Sequence, residues 1–347
     1  MKIKFAYFAA LVGIFGIAML INLGLFERIY RPDPADITIK IKKGTNLRSV
    51  GEELESKGII YNRNIFILTG RLLGYQDEII PGEYTFSNGL TNIDILKKIT
   101  DVNSIRFYTI TIPEGMNIRQ IGRLLQRQLG LDSARFVRET YNDSLINLLD
   151  VKADNLEGYL FPDTYQVSLS VSAENEFEII KIMASQFRKT ITPEMNEEMR
   201  KKNLSLKDVI TMASIIEGET RFEPEKKIIA GVYYNRLKKR MRLEADPTVQ
   251  YVLPDGPKRR LAFSDLKFPS PYNTYLNRGL PPGPINNPGL SSIIAAISPE
   301  KNNYLYFVAK GDGSHRFAET YAEHKKNIAE YKKYLQQIEE DKNKQNK

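Results

Sequence analysis

The segment ITIKIKKGTNLRSVGEEL, from Ile37 to Leu54, recurs without gaps as YTITIPEGMNIRQIGRLL, from Tyr108 to Leu125. Gly44, Asn46, Arg48, Gly51 and Leu54 match Gly115, Asn117, Arg119, Gly122 and Leu125, and Ile39, Ile41 and Val50 match Ile110, Ile112 and Ile121. Self-similarity of this kind marks one supersecondary unit used twice. Each copy begins with Ile alternating with polar residues, the two-residue period of a half-buried strand. A glycine then turns the chain into an apolar pattern of helical period. Between the copies, Tyr84 and Phe86 alternate in GEYTF, and LTNIDILKKI returns to the helical period. The amino-terminal half is therefore expected to consist of small α+β modules made by duplication, over residues 37–101 and 107–150.

Ahead of the first copy lies an uncharged, largely apolar run from Phe5 to Phe26, preceded by Lys2 and Lys4. It is longer than the hydrophobic region of a cleaved signal peptide, about 7 to 15 residues, and lacks a small-residue cleavage site. An uncleaved single-pass anchor over 5–26 is expected, with residues 1–4 cytoplasmic and the bulk of the chain outside the cytoplasm. Arg28 and Arg31 just beyond the run weaken the charge asymmetry behind that orientation. RPDPA, from Arg31 to Ala35, is rich in proline, and a stiff linker is expected over 27–36.

With 347 residues the chain has room for about two or three domains. Cysteine is absent and histidine is limited to His315 and His324, which removes thiol catalysis and disulfides and disfavours a zinc cluster or a Ser/His/Asp triad. No phosphate-binding glycine loop is present, so no cofactor is expected. The formal net charge of +8 favours anionic surfaces such as lipid headgroups or a carboxylate-bearing wall polymer. The basic residues are dispersed among acids without an RNA- or DNA-binding motif, and nucleic acid is not expected as a partner.

The strongest chemical signal is SLKDVITMASIIEGET, Ser205 to Thr220. Ser205 and Asp208 form a capping pair, Gly218 is suited to ending a helix, and Leu206, Ile210, Ala213 and Glu217 share one face at 3.6 residues per turn. Glu217 thus points where the hydrophobes point. Desolvation and the negative end of the helix dipole are both expected to raise its pKa, which suits a general acid. A structural ion pair with a nearby Lys or Arg is the competing reading.

Other polar groups cluster after Asn155. LEGYLFPDTY carries Asp163; PEKKIIAGVYYNRLKKRM places Asn235 on an inward face, where a helix-packing hydrogen bond and a site role are both open; Gln250, Tyr272, Asn273, Thr274 and Tyr275 offer neutral donors and stacking faces suited to a sugar. GLPPGPINNPG is rigid in backbone and poor in side chains, which fits either a groove wall or a set of structural turns. Asp163 and Glu219 are candidates for a second carboxylate in a hydrolytic scheme. FVAKGDGSHRF reads as a strand, a Gly-rich hairpin and a strand, followed by a charged helix with a tail over 336–347.

The first module, from Ile37 to about Ile99, resembles LysM domains, which bind glycans containing N-acetylglucosamine; a spacer role is the alternative. In their order, LEGYLFPDTY, ASIIEGET, YNRL, LEADPTVQY, YNTY, GLPPGPINNPG and YLYFVA resemble the MltG (YceG-like) endolytic murein transglycosylases. The resemblance implies a bacterial inner-membrane enzyme whose catalytic domain spans residues 155–335 and lies outside the cytoplasm. It implies cleavage of the MurNAc-GlcNAc bond in nascent peptidoglycan glycan strands, helping to terminate their elongation, with peptidoglycan synthases as possible partners. The family's catalytic glutamate falls on Glu217. One acid suffices for such a lyase because the MurNAc C6 hydroxyl is the nucleophile and a 1,6-anhydro ring replaces the added water. The expected fold class is α+β, with a membrane helix, LysM-like modules and a mixed α/β catalytic domain. A two-carboxylate hydrolase and a non-enzymatic peptidoglycan-binding factor are the alternatives.

Overall fold

A computed structural model describes residues 15–16, 26–42, 44–148, 153–169, 175–254, 256–258 and 260–345. The expected membrane span over 5–26 falls almost wholly outside them. No helix among the described residues is long and apolar enough to cross a membrane. The elements run β1 (Ile37–Ile41), α1 (Leu47–Ser56), α2 (Arg63–Leu72), β2 (Gly82–Phe86), α3 (Asn92–Thr100), β3 (Tyr108–Thr111), α4 (Ile118–Leu129), α5 (Ser133–Glu139), α6 (Asp143–Leu148) and β4 (Thr164–Val167). They continue with α7 (Asn175–Thr190), α8 (Pro193–Lys201), α9 (Leu206–Glu219), α10 (Glu223–Lys238), α11 (Asp246–Val252), α12 (Leu290–Ile297), β5 (Tyr306–Ala309), β6 (His315–Ala318) and α13 (Tyr321–Gln345). The α+β expectation holds, with helices dominant and the described strands paired only as β1-β2, β3-β4 and β5-β6.

The chain divides into two compact units. The first comprises Met1–Ile110 and Tyr165–Asn175, the second Thr111–Thr164 and Glu176–Lys347. In the first unit, β1 and β2 are antiparallel in the register Ile37↔Phe86 to Ile41↔Gly82. The alternation read in the sequence puts Ile39, Ile41, Tyr84 and Phe86 inward, where they pack with Leu54, Phe66 and Ile95. The linker expected over 27–36 begins inside this unit. Ile29 is buried and bridges Leu90, with Ile29 N–H donating to Leu90 O at 3.0 Å and Gly89 N–H to Ile29 O at 2.9 Å.

The two copies of the repeat fold alike locally. Gly44 and Gly115 both hold positive φ, +79° and +76°, a turn conformation that L side chains resist. The matched asparagines cap the helices that follow: Asn46 Oδ1 accepts from Ser49 N–H and Asn117 Oδ1 from Gln120 N–H, each at 2.9 Å. Yet the second copy's turn and helix belong to the second unit, together with Glu217, whereas the sequence reading starts the catalytic region at 155.

In the second unit α9 is the central helix. Its residues Val209 to Ile216 are all buried, so it is enclosed on every side rather than along one apolar stripe. It packs against α10, α11 and α12. Ser205 caps it by accepting from Asp208 N–H at 3.0 Å, and Thr220 closes it. Gly218 lies inside the last turn, not beyond it. A Cβ there would stand 2.6 Å from Pro247 Cβ, so the glycine lets α11 approach closely.

Candidate active site

Glu217 ends the apolar run of α9 with a side chain only 6% exposed. Three donors converge on one of its oxygens. Ser292 Oγ donates to Oε2 at 2.6 Å, the Gly289 N–H at 3.1 Å and Lys226 Nζ at 3.3 Å. Gly289 is the N-cap of α12 and Ser292 lies in its first turn, so the positive end of that helix faces the carboxylate. Among the described residues no donor falls on Oε1. The acid therefore has one oxygen fixed by the protein and one left to the cavity it lines, of about 610 Å³.

The competing reading of Glu217 as an ion-paired residue is thus also realised. Lys226, in the first half of α10, is buried, contacts Glu223 at 2.8 Å and Glu114 at 3.9 Å, and donates to Ser291 Oγ at 2.8 Å. Burial pulls the lysine pKa down, but the hydrogen bond to Glu223 and the charges of Glu217 and Glu223 outweigh it, and the net shift is upward. One lysine thereby serves three carboxylates.

Glu114 is the residue that the sequence reading missed. It sits just before the Gly115 turn and lines the Glu217 cavity. Burial, then the charge of Glu217, raises its pKa against the opposing pull of Lys226. Its carboxylate lies over Gly289 so closely that a Cβ on that residue would fall 1.9 Å from Glu114 Oε1. A signal was present: Glu114 aligns with Lys43, a charge reversal directly before the matched glycine of the repeat. Ser292 carried no comparable mark, while Gly289 closes the GLPPGPINNPG run that the sequence offers as a groove wall or a set of turns.

The loop GLPPGPINNPG ties the site together. Ile285 N–H donates to Ser214 Oγ at 3.1 Å, and Asn286 Nδ2 to Ser214 O at 2.8 Å. Asn287 Oδ1 accepts from Gly158 and Leu160 N–H at 3.0 and 2.9 Å, while its Nδ2 donates to Met116 O at 2.9 Å and Glu157 Oε1 at 3.2 Å. One asparagine thus joins LEGYL, the second repeat's turn and the loop that supplies Gly289. Glu157 is fully buried beneath the start of α4, where burial pushes its pKa up to about 8 despite the hydrogen bond from Ile118 N–H.

Of the substrate-contact candidates, Gln250 lines the cavity, with its amide engaged by Lys258 N–H at 2.7 Å and Lys258 O at 2.9 Å. The others do not line it. Asn235 Nδ2 donates to Asn302 O and Tyr304 O at 2.9 and 3.0 Å, which is the helix-packing role. Asn273, fully buried, spends its Nδ2 on Leu266 O and Phe268 O and its Oδ1 on Tyr275 N–H. Thr274 Oγ1 accepts from Ala245 N–H and meets Thr248 Oγ1, both at 2.9 Å. Tyr272 packs on Tyr251, ring centroids 5.1 Å apart. Asp163 is exposed and accepts from Thr164 N–H at 2.7 Å and Gln186 Nε2 at 3.1 Å. Glu219 does line the cavity, but its Oε1 takes the Tyr233 hydroxyl at 2.5 Å, and burial pushes its pKa up to about 7. No group of three or more His, Asp or Glu among the described residues is arranged to hold a metal.

The sequence matches the YceG-like family over residues 39–330. It is 34% identical over 333 residues to an endolytic murein transglycosylase of Bacillus subtilis (strain 168), covering 92% of this chain and 91% of that protein. It is 30% identical over 325 residues to an endolytic murein transglycosylase of Streptococcus pneumoniae serotype 2, covering 85% of this chain but 58% of that longer relative. The crystal structure of a yceG-like protein from Listeria monocytogenes shares the fold with a TM-score of 0.58 at 34% identity, over 84% of this chain and 98% of that one. Since the family match takes in both units and every residue around Glu217, the chain belongs to the YceG-like family.

Proposed function

We propose that this chain is an endolytic murein transglycosylase, cleaving the MurNAc-GlcNAc bond within peptidoglycan glycan strands and leaving 1,6-anhydroMurNAc ends. The observation that carries the reading is the asymmetric carboxyl group of Glu217 on the cavity wall, with Oε2 held by three donors and Oε1 by none among the described residues. In the first step the proton on Oε1 passes to the glycosidic oxygen as its bond to C1 of MurNAc breaks. The carboxylate that forms is stabilised by Lys226, Ser292 and the Gly289 N–H, and charge develops on the sugar ring. In the second step the C6 hydroxyl gives its proton back to Glu217 while its oxygen bonds to C1. No water enters, and the acid is regenerated.

A hydrolytic reading is favoured by one observation, the second carboxylate of Glu114 on the same lysine. There Glu114 would take a proton from water attacking C1. Uncrosslinked strands incubated with wild type, Glu217→Gln and Glu114→Gln, and read by mass spectrometry, decide between the two. Ends one water lighter than reducing ends, lost only in Glu217→Gln, are expected. Ordinary reducing ends, lost in both variants, would replace the lyase with a hydrolase.

The same reading includes an inner-membrane anchor over 5–26 with the amino terminus cytoplasmic and both units outside. It also includes glycan contact by the LysM-like first unit and encounter with peptidoglycan synthases at the membrane. Support comes from the apolar run itself and from the strand, Gly44 turn and Asn46-capped helix on which the LysM resemblance rests. Gln250, on the cavity wall, is the neutral group proposed to contact sugar.

A further inference from the structure

The apolar run ends at Phe26, and by Ile29 the chain is already in the core of the first unit. Only Glu27 and Arg28 intervene, a reach of about 11 Å at most. The attachment is firm. Besides the Ile29–Leu90 bridge, Arg31 N–H donates to Asn88 Oδ1 at 2.8 Å, Asn88 Nδ2 donates to Arg31 O at 3.2 Å, and the Arg31 guanidinium donates to Ala35 O and Phe86 O at 2.9 and 3.2 Å. Around this neck three aromatic side chains face solvent: Phe26, Tyr30 and Tyr61, exposed by 64%, 61% and 57%. The tyrosines are linked, since Tyr30 N–H donates to Tyr61 Oη at 3.0 Å and the Tyr61 hydroxyl donates to Tyr30 O at 3.2 Å. Arg28, also exposed, reaches Gly89 O at 3.4 Å.

The unit has a direction. The chain enters beside Phe86, one end of β2, and leaves past the other, where Arg106 N–H donates to Glu83 O at 2.8 Å and Ile105 covers Gly82. Those ends lie roughly 14 Å apart along the strand. The exposed leucines of α2 and the residue after it, Leu68, Leu72 and Leu73, form the rival apolar surface. Gly70 between them packs on Leu47, which follows the Ile41 end of β1, so they lie toward the exit.

We propose that the first unit stands on the bilayer by its neck, with Phe26, Tyr30 and Tyr61 seated in the headgroup layer, Arg28 against anionic lipid, and the chain leaving from the end that faces away. This rests on the anchor reading above. Exposed, mutually hydrogen-bonded tyrosines, one of them four residues beyond an apolar span, match the aromatic belt of membrane-water interfaces, and an arginine beside them adds attraction to anionic headgroups.

The chain contains no tryptophan, so a single introduced one reports its own surroundings. Full-length Tyr30→Trp, Tyr61→Trp, Leu72→Trp and Val102→Trp variants, Val102 being an exposed residue of the turn that leads to Ile105 at the exit, are reconstituted in phosphatidylethanolamine/phosphatidylglycerol vesicles with or without acyl-brominated lipid. At least twofold quenching and a blue-shifted emission are expected for the two neck variants, with little change for the other two. Quenching at Leu72→Trp or Val102→Trp would mean that the unit lies on another face. Absence of quenching at the neck in protein that still floats with vesicles would overturn the seat while leaving the anchor standing. Release of intact protein by alkaline carbonate would remove anchor and seat together.

Discussion

Glu217 is oriented through a single oxygen, and the strength of each contact to it can be read as a rate. Ser292 Oγ makes the shortest of the three, 2.6 Å. Its loss in Ser292→Ala removes a hydrogen bond to a group charged midway through the reaction, worth about 1.5 to 3 kcal/mol. A fall in kcat of about ten- to a hundredfold with little change in KM is expected, measured by release of fragments from uncrosslinked strands; an unchanged kcat would mean that Gly289 and Lys226 suffice. Glu157 gives a second test, in stability. Its folded pKa, pushed by burial to about 8, lies above the ordinary 4.5, so the folded state holds a proton that the unfolded state has released. That contribution is complete below the unfolded value and is lost as pH rises through the folded one, at about 1.4 kcal/mol per pH unit between them. Glu157→Gln keeps an acceptor for Ile118 N–H and cannot ionise. Relative to wild type its melting temperature should therefore climb from pH 5 to 8, and a constant difference would show that Glu157 is ionised in the fold. The two glutamates differ in legibility. Glu217 is marked by contiguous residues, as the acid ending an apolar helical run and as the glutamate of the ASIIEGET motif, whereas Glu157 and Glu114 acquire their environments from segments far away in sequence, through Asn287 and Lys226.

At the scale of elements, local rules located α1, α3, α4, α9, α10 and α13 but not α2, α5, α6, α8, α11 or α12, because caps and apolar periods are written in contiguous residues only where the segment is long and strongly patterned. The Ser205 cap, the Asn46 and Asn117 caps and the β5-β6 hairpin are all of this kind. What such rules misplace is a residue whose reason lies on another element. Gly218 reads as a terminator, yet α9 continues through it to Glu219, and the glycine is needed by Pro247 at the start of α11. Gly218→Ala therefore sets two effects against each other. Alanine is favoured in a helix by up to about 1 kcal/mol, while overpacking against a proline ring costs about 1 to 3 kcal/mol. A lower melting temperature is expected, together with reduced cleavage because Glu217 is the adjacent residue. A rise would mean that α11 moves aside freely. The polar candidates Asn235, Asn273 and Thr274 follow the same logic in reverse: their donors and acceptors look available in sequence and are consumed by backbone groups brought in by the fold.

The two copies of the repeat show how far the sequence can be trusted for the whole molecule. Equal local structure did not mean equal placement: the first copy builds the core of its own unit, while the second lends Glu114, Gly115, Asn117 and Gln120 to the cavity of Glu217. Alignment of the copies identifies the unit of structure, but only long-range contacts decide which unit each copy joins. Asn287 supplies such contacts, pairing with Met116 through both backbone N–H and side-chain Nδ2 at 2.9 Å and accepting Gly115 N–H on its carbonyl at 2.9 Å. A fragment cut at the boundary the sequence offers, residues 155–347, would expose the floor beneath Asn287 and lose Glu114 from above Gly289. A fragment of residues 107–347 keeps both, along with β3 and its partner β4. Cooperative thermal unfolding and cleavage of soluble strands are expected from the longer fragment and neither from the shorter one. Cleavage by the shorter fragment would show that the second copy only braces the site. Its loss from both would make the first unit part of the folding of the second, because the longer fragment retains every residue that lines the cavity.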